Sequence, residues 1–298
     1  MRYAFYLGCI VQSEQYGYEA SVRAIMPKLG VKLVDMPGTS CCGFPPFSSV
    51  NELAWLYSSA RNMTIAEEMG LPIFALCNGC HLSFVETKHK LEYDNELKAK
   101  VNEKLAKEGL RYEGKIELVH ILELLHDKLG KEKITEMISR PLKGLRFAAH
   151  PGCHAIRPSR IGRPDDPENP RKLDDLITWL GAEASDYPEK IDCCGSSLAV
   201  ASGKTVLNIA GDKLKAVKLY GFNGLVTTCP FCFKVYDNRQ RAIQTVIGDK
   251  ELDVPVFYYT QLLGLAMGVS PESLGLDLNQ SPVDPILVKV CERAIGGD

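Results

Sequence analysis

The sequence predicts an α/β protein made of two pseudo-symmetric, Rossmann-like halves, each built on a parallel sheet. Three observations lead there. Strand-like and helix-like segments alternate along the chain, the pattern of βαβ units and hence of parallel pairing. Ten of the eleven cysteines fall into two copies of one arrangement: Cys9, Cys41–Cys42, Cys77 and Cys80, then Cys153, Cys193–Cys194, Cys229 and Cys232. In both copies thirty-four residues separate the cysteine pair from the CxxC, and this part repeats with an offset of 152 residues. Finally, every cysteine group follows or ends a predicted strand, and open α/β sheets gather ligands at the carboxyl ends of their strands.

Each copy opens on a strand that runs into its first cysteine, RYAFYLGC over 2–9 and LRFAAHPGC over 145–153. Gly8 and Gly152 supply the freedom for a tight strand exit. A helix over 18–29 and a second strand over 31–36 follow; their counterparts are a helix over 172–180 and a strand over 182–187. Helical patterns after the cysteine pairs cover 51–69 and 205–219. Apolar strands at 72–77 (PIFALC) and 224–229 (GLVTTC) then deliver the CxxC turns. A last strand and helix close each half, near 116–125 and 254–267.

The halves also differ. Residues 86–114 hold fourteen charged residues, with Leu97, Val101 and Leu105 at i, i+4 spacing, and read as one exposed amphipathic helix peculiar to the first half. The second half has instead a long proline-rich loop over 157–171. The boundary falls near residues 141–144, giving halves 1–142 and 143–298.

Composition sets the class. Of 298 residues, 45% are hydrophobic and 24% charged, as in ordinary globular proteins. A net charge of −2 gives no electrostatic case for nucleic acid or an anionic membrane. Arg2 runs directly into a strand pattern, not into the apolar core of a leader peptide. The longest apolar run, 254–269, is interrupted by Thr260 and Gln261 and is too short to span a bilayer. The expectation is a soluble, cytoplasmic protein. In that compartment clustered thiols are metal ligands or redox groups, whereas a disulfide framework belongs to small secreted chains.

The cysteine pattern points to a metal–sulfur centre. A CxxC turn brings two thiolates to one metal. Neighbouring side chains in a strand point opposite ways, so the pairs Cys41–Cys42 and Cys193–Cys194 can meet one centre only from an irregular loop, for which Gly43 and Gly195 supply freedom. Zinc closes its tetrahedron with four ligands, and a cubane iron–sulfur cluster also takes four thiolates. Five cysteines therefore point to a metal–sulfur cluster, with zinc as the alternative, and ligand count does not by itself fix the cluster type.

A lone cysteine, then Cys–Cys–Gly, then CxxC at these spacings is the CCG-domain signature. Two tandem copies resemble the B-type subunit of heterodisulfide reductase from methanogenic archaea. The resemblance covers essentially the whole chain, through YAFYLGC, ARNMTIAEEMG before LCNGC, TCPFC and TQLLGLAMG. It implies two facing non-cubane [4Fe–4S] clusters, the first on Cys9, Cys41, Cys42, Cys77 and Cys80, the second on Cys153, Cys193, Cys194, Cys229 and Cys232. The implied reaction is two-electron cleavage of the coenzyme M–coenzyme B disulfide (CoM-S-S-CoB). His154, Arg157 and Lys234 are the cationic candidates for the catalytic site, with His81 and Arg160 beside them. The chain lacks the ferredoxin run CxxCxxCxxxCP. In the family, electrons come from a small ferredoxin-like subunit, fed by a flavin-containing subunit with hydrogenase or formate dehydrogenase, a flavin-based electron bifurcation complex. The alternative is a CCG-domain electron-transfer subunit of a related thiol, fumarate or quinone-linked oxidoreductase; a zinc-stabilised scaffold is a third reading. Cys291, outside both motifs, reads as a buried or free thiol.

Overall fold

The computed structural model describes residues 1–292, with side chains through Val290; the Cys291 thiol lies outside the described residues. The first sheet holds β1 (Arg2–Tyr6), β2 (Lys32–Asp35), β3 (Ile73–Ala75) and β4 (Leu118–His120) in the order β2-β1-β3-β4. The second holds β5 (Arg146–His150), β6 (Glu183–Ala184), β7 (Gly224–Thr227) and β8 (Val256–Tyr258) in the order β6-β5-β7-β8. All pairings are parallel, with Ala4 opposite Ile73 in one sheet and Phe147 opposite Gly224 in the other. The central strands are apolar and buried along nearly their whole length, as strands covered by helices on both faces must be. The outer strands β2 and β6 are more exposed, and the stretch expected as a strand over 182–187 pairs over only two residues.

The long helices start where local chemistry allows. Glu52–Met69 begins after Asn51, whose side chain accepts from the Ala54 N–H at 3.0 Å, and ends at Gly70 in a left-handed conformation. Residues 86–114 do not form one exposed helix. Asn78–Tyr93 stops at Asp94, whose carboxylate accepts from the Leu97 N–H at 2.8 Å and starts a new helix, Asn95–Leu105. That second helix buries Val101 and Leu105 against the first half, and Arg61 fastens the following turn through Glu108 at 2.7 Å. The charged residues cover its outer face.

The halves meet through a reciprocal exchange of helices. Helix Tyr16–Ile25 of the first half packs on Tyr259–Ala266 of the second. Helix Lys172–Trp179 of the second packs on the segment 123–136 that closes the first, where His126 stacks on Trp179 with centroids 4.9 Å apart. Tyr18 stacks on Tyr258 at 3.8 Å, and Tyr258 on Phe233 at 3.9 Å. Such parallel aromatic contacts add to the area they bury. The Tyr18 hydroxyl donates to Thr228 O at 2.7 Å, and Ser21 shares a 2.7 Å hydrogen bond with Thr260. Gly17 is required here, because a Cβ would lie 2.8 Å from Gly275 O. One apolar core, including Phe5, Val22, Phe147, Tyr258 and Leu262, runs through both halves.

Candidate functional site

Each sheet brings five cysteines to the carboxyl ends of its strands. Cys9 and Cys153 follow β1 and β5, just beyond Gly8 and Gly152, which adopt φ of +69° and +79°. Cys41–Cys42 and Cys193–Cys194 lie in irregular loops, and the glycines after them have φ of +81° and +77°. The backbone N–H groups of Gly43 and Gly195 turn back onto the Cys41 and Cys193 sulfurs at 3.4 and 3.3 Å. Cys77 and Cys229 follow β3 and β7 and immediately precede helices, with Cys80 and Cys232 in the first turns. Neighbouring thiols and burial raise Cys77, Cys80 and Cys232 well above the usual thiol range, while Cys232 and Cys77 hold Cys229 below it.

Within each set three thiols are buried at the bottom and the other two open outward. Cys42, Cys77, Cys80, Cys194, Cys229 and Cys232 are buried, Cys153 is half-buried, and Cys9, Cys41 and Cys193 are exposed. All ten are free thiols. Sulfur atoms approach at 3.7 Å for Cys9 and Cys41, 3.4 Å for Cys42 and Cys80, and 3.6 Å for Cys153 and Cys193. Hydrogen bonds from Cys42 and Cys9 push the Cys41 thiol down to about 2, and those from Cys153 and Cys194 do the same for Cys193. The partners move up: Cys42 to about 12 through Cys41, while Cys9 and Cys153 rise well above the usual thiol range. Five thiols this close cannot all ionise unless a multiply charged cationic group sits among them.

The two sets touch. Cys77 and Cys229 face one another across the seam closely enough to perturb each other's ionisation, Cys77 upward and Cys229 downward. Beside them a cleft is lined by all five cysteines of the second set. Phe44, Pro45, Asn78 and Gly79 of the first half form its opposite wall, and His154, Ser196, Ser197 and Phe231 complete it. The walls are largely apolar. The His154 ring meets Phe44 edge-on at 4.9 Å, and burial lowers its pKa, so the imidazole is neutral.

The other cationic candidates lie elsewhere. Lys234 pairs with Glu14 at 2.5 Å, Arg157 is exposed and reaches Pro167 O at 3.5 Å, and Arg160 is exposed at 3.8 Å from Glu86. None of the three lines the cleft. His81 is buried at the seam, 3.5 Å from Glu123 and 3.4 Å from Arg163.

The structure adds seam residues that spacing did not reveal. Asn78 donates to Pro151 O at 2.8 Å and accepts from His120 Nε2 at 2.9 Å, since His120 Nδ1 accepts from the Leu122 N–H. Burial, then Arg163, lowers His120 to about 3, so it is neutral. Arg163 binds the His154 carbonyl and retains its charge, although burial lowers it to about 10. Nothing in the loop sequence GRPDD marks Arg163. His120 carried one signal, its place at the carboxyl end of a strand.

Two parallel sheets joined by exchanged helices, each presenting five thiols to a shared seam, define a duplicated cysteine-rich α/β protein. The model of the cysteine-rich (CCG) domain matches residues 3–85 and 147–235. The chain is 37% identical, over 98% of both chains, to the B-type subunit of the ferredoxin/F(420)H(2)-dependent CoB-CoM heterodisulfide reductase of Methanosarcina acetivorans. It belongs to that family of tandem cysteine-rich-domain proteins. It is also 31% identical, over 93% of its length and 96% of the relative's, to the 8-methylmenaquinol:fumarate reductase membrane anchor subunit of Wolinella succinogenes. A crystal structure of a hypothetical protein from Helicobacter pylori shares the fold, with a TM-score of 0.75 and 20% identity over 95% of this chain and 52% of that one. No helix among the described residues is long and apolar enough to cross a membrane.

Proposed function

We propose that this chain is the disulfide-cleaving subunit of a heterodisulfide reductase, with an iron–sulfur cluster on each five-cysteine set and CoM-S-S-CoB bound in the cleft between the halves. The observation that carries the reading is the cleft itself, which the whole second set lines and for which the first half supplies the facing wall. The donor chemistry fits a polynuclear, sulfur-loving group: each set offers five soft thiols. Cys9, Cys41, Cys42, Cys77 and Cys80 would hold one cluster, and Cys153, Cys193, Cys194, Cys229 and Cys232 the other; the non-cubane type is part of the proposal.

When bound, the clusters supply single electrons next to the substrate sulfurs. The overall reaction takes a disulfide, two electrons and two protons to two thiols. The residues of the chain do the rest. Phe44, Pro45 and Phe231 exclude water from the scissile bond. His154, neutral on the cleft wall, offers a ring N–H to a substrate anion. Asn78, through Pro151 O, and Arg163, through His81, bridge the seam and with it fix the separation of the two cysteine sets. Electrons would arrive from partner subunits, a ferredoxin-like and a flavin-containing one.

The test is anaerobic purification with iron and acid-labile sulfide analysis, then turnover of CoM-S-S-CoB with a reduced viologen. About four irons and four sulfides per half with thiol release are expected. Zinc without sulfide would sink the proposal. Loaded clusters without turnover would favour a second reading, an electron relay of the kind suggested by the fumarate reductase relative.

A further inference from the structure

The two thiol sets are near copies, but the residues behind them are not. Aligned on the strand exits Gly8–Cys9 and Gly152–Cys153, Tyr6 of the first half corresponds to His150 of the second. Aligned on the CxxC turns, Leu76 corresponds to Thr228 and Phe84 to Tyr236. The side-chain arrangement is retained through these exchanges. Tyr6 meets Phe84 edge-on at 4.9 Å, and His150 meets Tyr236 edge-on at 5.1 Å.

What changes is hydrogen bonding. In the first half the Tyr6 hydroxyl donates to Ser40 O at 2.7 Å, and Leu76 and Phe84 have nothing to donate. In the second half four polar side-chain atoms are sealed from solvent without a partner: both ring nitrogens of His150, the Thr228 hydroxyl and the Tyr236 hydroxyl. All three residues are fully buried. An unpaired buried donor costs about 1–3 kcal/mol, so three together in one wall call for an acceptor. No cysteine sulfur lies within hydrogen-bond distance of these four atoms, so the acceptor would be sulfur of a cluster held by the second set. His150 lies in the electrostatic field of Cys229 and Cys193, and Tyr236 in that of Cys194 and Cys232. Burial keeps both side chains uncharged, lowering His150 to about 3 and raising Tyr236 far above its usual value, so each acts as a neutral donor.

A nearby charge differs in the same sense. Arg61 of the first half is paired with Glu108 at 2.7 Å. Its counterpart Lys213 binds the carbonyls of Glu189 and Lys190 and has no carboxylate partner among the described residues.

We propose that the second set holds its cluster at a more positive reduction potential than the first, because His150, Thr228 and Tyr236 would offer buried, otherwise unpaired donors to cluster sulfur where the first set meets Tyr6, Leu76 and Phe84. Hydrogen bonds to cluster and thiolate sulfur stabilise the more negative, reduced state. An electron entering the chain therefore comes to rest at the set whose five thiols line the cleft. The inference rests on the iron–sulfur reading and extends it by ranking the two centres. His150, Thr228 and Tyr236 are positioning residues, acting on the reaction only through the cluster.

The experiment is a stepwise reductive titration of the anaerobically purified full chain, followed by electron paramagnetic resonance and visible absorption. Wild type should show two steps at separate potentials. Tyr236→Phe and Thr228→Val, each nearly isosteric, should move the upper step downward and leave the lower step in place. The ranking is overturned if both clusters titrate together, if either variant moves the lower step, or if neither variant moves any step while iron and sulfide content stay at the wild-type level. Absence of acid-labile sulfide from wild type would instead overturn the iron–sulfur reading on which the ranking stands.

Discussion

Replacing Gly152 by alanine tests how the second thiol set is tied to the first half. The residue has φ +79° and ψ 139°, a region nearly reserved for glycine, which alone costs about 1–3 kcal/mol for a residue with a Cβ. A Cβ there would also lie 2.5 Å from Asn78 Nδ2 and 3.4 Å from Cys232 Sγ. Asn78 would have to withdraw, breaking its bond to Pro151 O and releasing His120 Nε2. Leaving those buried groups unpaired costs about 1–3 kcal/mol more. Gly162 supplies the control: φ is +67°, ψ is 127°, and a Cβ there meets nothing within 4 Å. Gly162→Ala should therefore report the conformational cost alone. At about 2 °C per kcal/mol for a chain this long, Gly152→Ala should melt roughly 2–6 °C below Gly162→Ala in anaerobic thermal unfolding. Equal melting temperatures would refute the claim that Gly152 protects the Asn78 bridge.

Other expectations concern the cleft and the seam. Phe44→Ala removes an apolar wall from the cleft and should raise KM for the disulfide about tenfold with a smaller change in kcat, as steady-state kinetics would show. Lys234→Ala breaks a partly exposed pair with Glu14 and should cost under about 1 kcal/mol in unfolding experiments while leaving KM unchanged; a large KM effect would put Lys234 back at the substrate. His120 binds no proton in the folded state until about pH 3 but takes one near 6.5 when unfolded, so its contribution to stability is present above pH 6.5 and lost as the pH falls toward 3. At pH 5 the loss is about 2 kcal/mol, and His120→Gln should flatten that part of the stability–pH curve measured by denaturant unfolding.

The alternation of strands and helices was readable because burial between helix layers leaves a continuous apolar strand signature, as in PIFALC and GLVTTC. The cysteine sets were readable because metal ligation constrains spacing in the chain itself, which is how both halves announced the same loop–helix geometry. The break at Asp94 was written locally, as a helix-capping aspartate, but the helical periodicity of Leu97, Val101 and Leu105 masked it. The seam was not readable. Arg163, Asn78 and His120 meet only after four segments distant in sequence have folded, and no local pattern records such a meeting. For the same reason Arg157 and Lys234, plausible by charge and proximity in the chain, fall outside the cleft that His154 does line.

The exchanged helices have an evolutionary corollary. A two-fold seam in which each partner lends its helix to the other is the interface of a symmetric dimer, here drawn into one polypeptide by the segment between β4 and β5. In a dimer of identical subunits every mutation strikes both copies at once, so Tyr6 and His150 could never have become different residues. On one polypeptide the two copies mutate independently. The stretch joining the halves is thus more than a tether: it lets a repeated surface carry a left and a right side.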